Sequence, residues 1–291
     1  MSAKGALSPD AALSQVRVDV AARSHRGKVR LDNEDHYLVA AFQRRMKALL
    51  TSLPEGEIPL SYGDTGYGMV VADGMGGVAG GEVASRTVIS VLIELALSTP
   101  DWIMRFDSDL AKEVLQRLND RIMHAEAALI EKARLDPALT GMGTTITIAC
   151  SIGASLLIAH VGDSRAYLFR NGGLEQLTCD HTVAQALYEA GIIGPEAVQS
   201  HPMSHLLTRA VGGSESGKAI ADLAAVNLLD GDQVLLCTDG LTDMVSEGQI
   251  AHLLALGRTA DQACHALVET ALEGGGRDNI TAVVARYRIP T

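Results

Sequence analysis

Val70-Val71-Ala72-Asp73-Gly74-Met75-Gly76-Gly77 is the stretch on which the fold of this 291-residue chain turns. An apolar, β-branched run stops on a carboxylate and a cluster of glycines, the pattern of a buried strand that ends at a tight turn and carries an acid to the rim of a sheet. Glycine beside the acid lets the backbone approach an ion closely, so Asp73 and the Gly74 carbonyl can offer two oxygens to one hard cation. Asp-Gly is also a common turn dipeptide, and this stretch by itself is compatible with nothing more than a turn. Its weight comes from recurrence.

The same ending appears elsewhere along the chain. The run Ser155 to Val161 finishes on Gly162-Asp163-Ser164-Arg165, and Gln233 to Thr238 finishes on Asp239-Gly240-Leu241-Thr242-Asp243. Two more acids sit at strand entrances: Arg277-Asp278-Asn279 leads into Ile280 to Tyr287, and Arg30-Leu31-Asp32-Asn33-Glu34-Asp35 leads into Tyr37 to Ala40. If Glu34, Asp73, Asp163, Asp239 and Asp278 converge, they repel and raise one another's pKa, so convergence makes sense chiefly with divalent metal among them. Oxygen-only donors point to Mg²⁺ or Mn²⁺ rather than zinc or copper. Two such ions about 4 Å apart can share a water, lower its pKa and aim it at phosphorus. Arg30 suits the phosphoryl oxygens because its planar donors match them two at a time, although an arginine beside acids also reads as a solvated salt bridge. The chemistry expected is hydrolysis of a phosphomonoester with no cysteine nucleophile.

Composition narrows the alternatives. Hydrophobic residues make up 47% of the chain, enough for a substantial core, while aromatics are only 3% and the formal charge is −11. Scarce stacking surfaces and excess acid argue against a nucleic-acid partner. Cys150, Cys179, Cys237 and Cys264 lie far apart without a CxxC pair, as expected of small apolar fillers in a reducing, cytoplasmic setting. The first twenty residues lack an apolar core followed by a cleavage site, and no run is long enough to span a membrane.

In chain order, residues 1–14 read as a flexible leader and residues 15–291 as one domain. Val16, Val18 and Val20 alternate as a strand, and residues 43–66 read as an exposed insertion. Val83, Ala84, Val88, Val91, Leu92 and Leu95 share one helical face, and a second amphipathic helix is expected from Ser108 to Arg134. Thr144 to Cys150 and Ser155 to Val161 form a hairpin, and a further strand turns at Asn171-Gly172-Gly173. Residues 178–213 are polar and histidine-bearing, with one helix near Val183 to Ala190, and read as a movable flap over a site. His181, His201 and His205 lack zinc-site spacing and read as surface or structural. Helices are expected at Glu247 to Leu256 and Asp261 to Leu272.

Arg30…Asn33-Glu34-Asp35, Asp73-Gly74-Met75-Gly76-Gly77, Gly143-Thr144-Thr145, Gly162-Asp163-Ser164-Arg165, Asp239-Gly240-Leu241-Thr242-Asp243 and Arg277-Asp278-Asn279 together resemble the ordered motif series of the metal-dependent serine/threonine phosphatases, the type 2C or PPM family, in its bacterial form. The resemblance spans about residues 16 to 288. It implies an α+β fold, a four-layer α-β-β-α sandwich of two antiparallel sheets face to face with helices outside. It also implies that Asp73 bridges two Mn²⁺ or Mg²⁺ ions, that the Gly74 carbonyl, Asp239 and Asp278 serve one and Glu34 the other, and that Asp35 stands behind them. Asp163, with Asp239 and Asp243, would hold a weaker third ion. The implied substrates are phosphorylated proteins of a Ser/Thr kinase pathway, acted on by a monomer. Animal members carry, at the position of Met75, a histidine proposed to protonate the leaving group; bacterial relatives commonly share the methionine. A thioether cannot donate a proton, so the acid must be another group. Two other readings remain open at this stage: a catalytically silent phosphoprotein-binding module of the same fold, and a small-molecule phosphomonoesterase, against which stands the absence of a P-loop or dinucleotide-binding context.

Overall fold

The apolar runs of the strands are continuous because both faces of each sheet are covered. The computed structural model describes residues 16–50, 52–54, 57, 61–98, 108–213 and 219–290, so the leader expected over residues 1–14 lies outside the described residues. In chain order the strands are β1 (Arg17–His25), β2 (Asp35–Lys47), β3 (Ser61–Met75), β4 (Gly143–Thr144), β5 (Ile146–Ile152), β6 (Ser155–Val161), β7 (Arg165–Arg170), β8 (Gly173–Gln176), β9 (Val211–Gly212), β10 (Asp222–Asn227), β11 (Gln233–Cys237) and β12 (Ile280–Arg288). The helices are α1 (Gly77–Ser98), α2 (Ser108–Leu135), α3 (Val183–Glu189), α4 (Pro195–Val198), α5 (Asp239–Thr242), α6 (Glu247–Leu256) and α7 (Ala260–Glu273). One sheet has the order β1-β12-β11-β7-β8; the other runs β10-β6-β5-β3-β4-β9, with β2 also paired to β3. The named strand pairs are antiparallel.

Strand alternation sorts the apolar residues into three cores. Met69, Val71, Ala149, Ile158, Val234, Leu236, Val283 and Ala285 fill the space between the sheets. Their neighbours along the same strands face outward: Val70, Ala72, Ile146 and Ile148 meet Val88, Leu92, Leu118 and Ile122 of α1 and α2. On the far side Leu235, Cys237, Ala282 and Val284 meet Ile250, Leu254, Leu267 and Val268 of α6 and α7. The period-2 geometry of a strand sends adjacent side chains into different cores, so the central strands keep no polar face. The expected four-layer α-β-β-α sandwich is the architecture observed, and no helix among the described residues is long and apolar enough to cross a membrane.

Three details differ from the sequence reading. The insertion expected over residues 43–66 is in part a hairpin extension, because β2 continues to Lys47 and β3 begins at Ser61. Ser61-Tyr62-Gly63-Asp64-Thr65-Gly66-Tyr67-Gly68 is too glycine-rich and polar to show strand alternation, yet its backbone pairs with β2. The strand expected from Thr144 to Cys150 breaks at Thr145, whose residues on either side belong to β4 and β5. Edge strand β10 was missed: Asp222-Leu223-Ala224-Ala225-Val226-Asn227 is short and half solvated, and its pairing with β6 comes from tertiary context. The turn at Asn171 and Gly172 does carry positive φ at both residues, 52° and 82°, as a two-residue hairpin requires.

Candidate metal centre

The ends of β3, β6 and β11 and the entrances of β2 and β12 meet at one cavity of about 600 Å³, lined by Arg30, Glu34, Asp73, Gly74, Met75, Asp163, Asp239, Asp243 and Asp278 among others. Backbone contacts explain how each acid is held. Asp73 donates its N–H to Thr145 Oγ1 (3.0 Å), and its carbonyl accepts from Thr145 N (2.9 Å) and Thr144 Oγ1 (2.7 Å). Thr145 Oγ1 also bonds Ser164 Oγ at 2.8 Å, tying the Asp73 turn to the residue after Asp163. The Gly143-Thr144-Thr145 motif is therefore a brace between two acid-bearing turns.

Close backbone approach dictates the glycines after Asp73. A Cβ on Gly74 would collide with the Gly81 carbonyl, and one on Gly81 would lie 2.7 Å from both the Glu34 carboxyl carbon and the Gly74 carbonyl oxygen. Without side chains there, the start of α1 seats against the end of β3 and leaves room for Glu34. Glu34 is fixed further by its N–H on Asn279 Oδ1 (2.7 Å) and by Ser85 Oγ donating to its carbonyl (2.6 Å). Asn279 Nδ2 donates to the carbonyls of Arg26 (3.0 Å) and Asp32 (2.9 Å), so the residue after Asp278 staples the whole 26–34 loop.

Asp35 stands outside the cavity lining. It faces Asp73 across the β2–β3 ladder, is buried, and accepts from Thr238 Oγ1 (2.8 Å) and Thr281 Oγ1 (2.7 Å) on one oxygen only. Its Oδ1, like Asp239 Oδ1, is buried without a hydrogen-bond partner. Desolvation, only partly offset by the two threonine hydroxyls, raises the Asp35 pKa to about 7. Desolvation and then the neighbouring Asp243 and Asp278 raise Asp239 to about 6. Desolvation and facing carboxylates lift Asp73 and Asp163 well above the usual carboxylate range. Orphaned oxygens and mutually repelling acids are costly unless a cation joins them, and the donors are oxygens suited to Mn²⁺ or Mg²⁺.

Basic groups, Arg30, His205 and Arg209, complete the walls. Arg30, exposed at the rim, pairs with Asp278 Oδ2 at 2.5 Å. His205, read from sequence as surface or structural, stands at the cavity: its Nδ1 is 3.9 Å from Asp239 and 3.8 Å from Asp243, and the three side chains offer donor atoms within 4.8 Å of one another. No spacing rule could have found it, because it reaches the acids from a loop with no regular element. His181 is the buried structural residue expected. Arg165 of the Gly162-Asp163-Ser164-Arg165 motif forks onto Asp180 at 2.6–3.1 Å and so braces the wall instead of facing substrate.

This arrangement has close relatives. Residues 60–273 match the family model described as Protein phosphatase 2C. The chain is 39% identical over 265 residues, 91% of its length, to the serine/threonine protein phosphatase PstP of Mycobacterium tuberculosis, of which it spans 44%. It is 32% identical over 267 residues to the serine/threonine phosphatase stp of Listeria innocua, covering 92% of this chain and 95% of that one. The crystal structure of Mycobacterium tuberculosis PstP superposes with a TM-score of 0.74 at 37% identity, covering 92% of this chain and 98% of that one. The PstP catalytic domain in complex with two manganese ions superposes at 0.73 and 35% identity, covering 94% and 100%. By sequence along most of its length and by fold, the chain belongs to the protein phosphatase 2C family.

Proposed function

We propose that this chain is a phosphoprotein phosphatase that hydrolyses phosphoserine and phosphothreonine with Mn²⁺ or Mg²⁺, opposing a Ser/Thr kinase in the cytoplasm and acting as a monomer. One observation carries the reading: acids from five separate parts of the chain, Glu34, Asp73, Asp163, Asp239 and Asp278, line a single cavity. The two-manganese PstP structure supports it by likeness. Asp73, Glu34, Asp239, Asp278 and the Gly74 carbonyl would hold two ions, and Asp163 with Asp239 and Asp243 a third. When bound, paired ions of this kind supply an ionised water and neutralise charge on the phosphoryl group.

The chain's own residues do the rest. Arg30, paired with Asp278 at the rim, carries a planar fork that would match two phosphoryl oxygens. Asp35 fixes the orientation of the β2 entrance through Thr238 and Thr281, directly behind Asp73. Met75 lines the cavity but has no proton to give, so protonation of the departing alkoxide falls to another group. The test is phosphate release from phosphoserine, phosphothreonine and phosphotyrosine peptides with Mn²⁺ and with excess chelator. Turnover of the first two with Mn²⁺, lost on chelation, is expected; full turnover in chelator would sink the metal reading, and no turnover of any peptide would sink the phosphoprotein substrate.

A further inference from the structure

Gly162, the residue in front of Asp163, is gripped at both its N–H and its carbonyl by one residue. Gly162 has φ +115°, and a Cβ there would lie 2.5 Å from Thr145, so the turn that presents Asp163 takes a shape reserved for glycine. His181 N–H donates to the Gly162 carbonyl at 2.7 Å, and Gly162 N–H donates to His181 Nδ1 at 3.0 Å. The second bond settles the tautomer: Nδ1 must be bare, so Nε2 carries the hydrogen and donates it to Asp222 Oδ2 at 3.0 Å. Burial, the largest influence on the ring, lowers its pKa and keeps it neutral.

Asp222, on edge strand β10, also holds the far end of the segment 178–213. Arg209 donates to Asp222 Oδ1 at 2.7 Å and to Oδ2 at 3.3 Å. Between these anchors the two ends of the segment pair with each other: Thr208 N donates to the His181 carbonyl at 2.8 Å, Val183 N donates to the Leu206 carbonyl at 2.8 Å, and Thr182 and Leu207 form an antiparallel bridge. His205, Leu206, Leu207, Arg209 and Ala210 line the cavity. The cavity wall on this side therefore hangs from the residue that grips the Asp163 peptide.

We propose that His181 and Asp222 form a clamp that sets two things together: the direction in which Asp163 enters the cavity, and the seating of residues 205–210 against it. Both are positioning residues. The clamp's effect on turnover rests on the phosphatase reading above, but its existence does not.

Two isosteres separate its halves. Asparagine places its carbonyl near the imidazole Nδ1 position, so His181→Asn keeps an acceptor for Gly162 N–H and loses the donor to Asp222. Glutamine reaches the Nε2 position, so His181→Gln keeps the Asp222 contact and leaves Gly162 N–H without a partner. Hydrogen exchange on the full chain, with and without Mn²⁺, reads each half directly. His181→Gln should speed exchange at Gly162 by at least about fivefold, and His181→Asn should do the same at Leu206 to Arg209, the loss expected for one buried hydrogen bond. Asp222→Ala, an exposed change on an edge strand, tests the clamp should either His181 variant fail to fold. It should loosen both 182–189 and 205–210 while raising KM for a phosphothreonine peptide severalfold with kcat little changed. His181→Gln should instead lower kcat through Asp163. Wild-type exchange at both segments in Asp222→Ala would overturn the clamp, whatever the activity. Wild type inert toward all phosphopeptides would overturn the phosphatase reading and leave the exchange result to decide the clamp.

Discussion

Two walls of the same cavity are built in different ways. The acid wall is set by strand ends: Asp73 is fixed by Thr144 and Thr145, Glu34 by Asn279 and Ser85, and each contact is made by backbone on at least one side. The opposing wall, from His205 to Ala210, belongs to a segment with only short helices and the two-residue strand β9, tied down by a few bonds at its ends. Rigid strand ends fit ligands that must be held within a few tenths of an ångström, whereas a tethered loop can admit and release a bulky substrate. The expected losses from mutation therefore divide: the acid wall should control turnover and metal, and the tethered wall substrate binding.

The sharpest break in that division is Asp73→Asn. Changes that only support a metal ligand typically cost about 10–100-fold, and loss of a carboxylate proposed to serve two ions should exceed that range. Turnover on a phosphothreonine peptide, with Mn²⁺ counted per chain, checks it. Near-normal activity would remove Asp73 from the centre.

Asp35→Asn comes next, with a loss of about 10–100-fold expected for a carboxylate one step behind the proposed ligands. It also carries a pH signature in chelated protein. The Asp35 pKa is raised to about 7 by burial, whereas an unfolded Asp titrates near about 4. The folded state thus holds the proton more tightly, so its contribution to stability is complete below about pH 4 and is lost as pH rises toward about 7. Metal-free wild type should lose thermal stability over that window, and Asp35→Asn, which cannot ionise, should lose less. Parallel melting curves for the two proteins would show that Asp35 is not the group responsible.

These contrasts also explain what the sequence could tell. The acids were legible because each follows or precedes a strand whose apolar residues feed two cores, and because turn residues flank them. The brace roles of Thr145 and Asn279 follow from contacts 72 and 245 residues apart, which no local pattern encodes. β10 was invisible because Asp222 to Asn227 alternate weakly and gain their pairing from β6. That His205, an exposed side chain, stands at the cavity could not be read for the same reason in sharper form: a loop carries no periodicity, so nothing local says which way its side chain faces.

Asp163→Ala should fall between the two walls, since Asp163 is buried and lines the cavity yet its peptide is held by His181 of the tethered segment. A drop of about tenfold with one fewer Mn²⁺ bound, and with the other ions retained, fits a weaker third site. Unchanged turnover and stoichiometry would return Asp163 to an ordinary turn residue.

The smallest effect on metal, and the most informative about substrate, belongs to Arg30. Its pair with Asp278 is half exposed, the arginine side chain at 55% and the aspartate at 32%, and pairs of that kind are worth about 0.2–1 kcal/mol. If Asp278 holds a cation as proposed, Arg30 competes with it for that carboxylate, so Arg30→Ala should leave metal affinity equal or slightly tighter, by less than about fivefold. KM for a phosphopeptide should nevertheless rise, because the two-pronged donor for phosphoryl oxygen is gone. Arg30→Lys keeps the charge and loses the fork, so it should restore KM only in part. Full rescue by lysine would reduce Arg30 to a point charge. An unchanged KM in Arg30→Ala would leave it as a rim salt bridge, and phosphate recognition would then pass to the acid wall's cations alone.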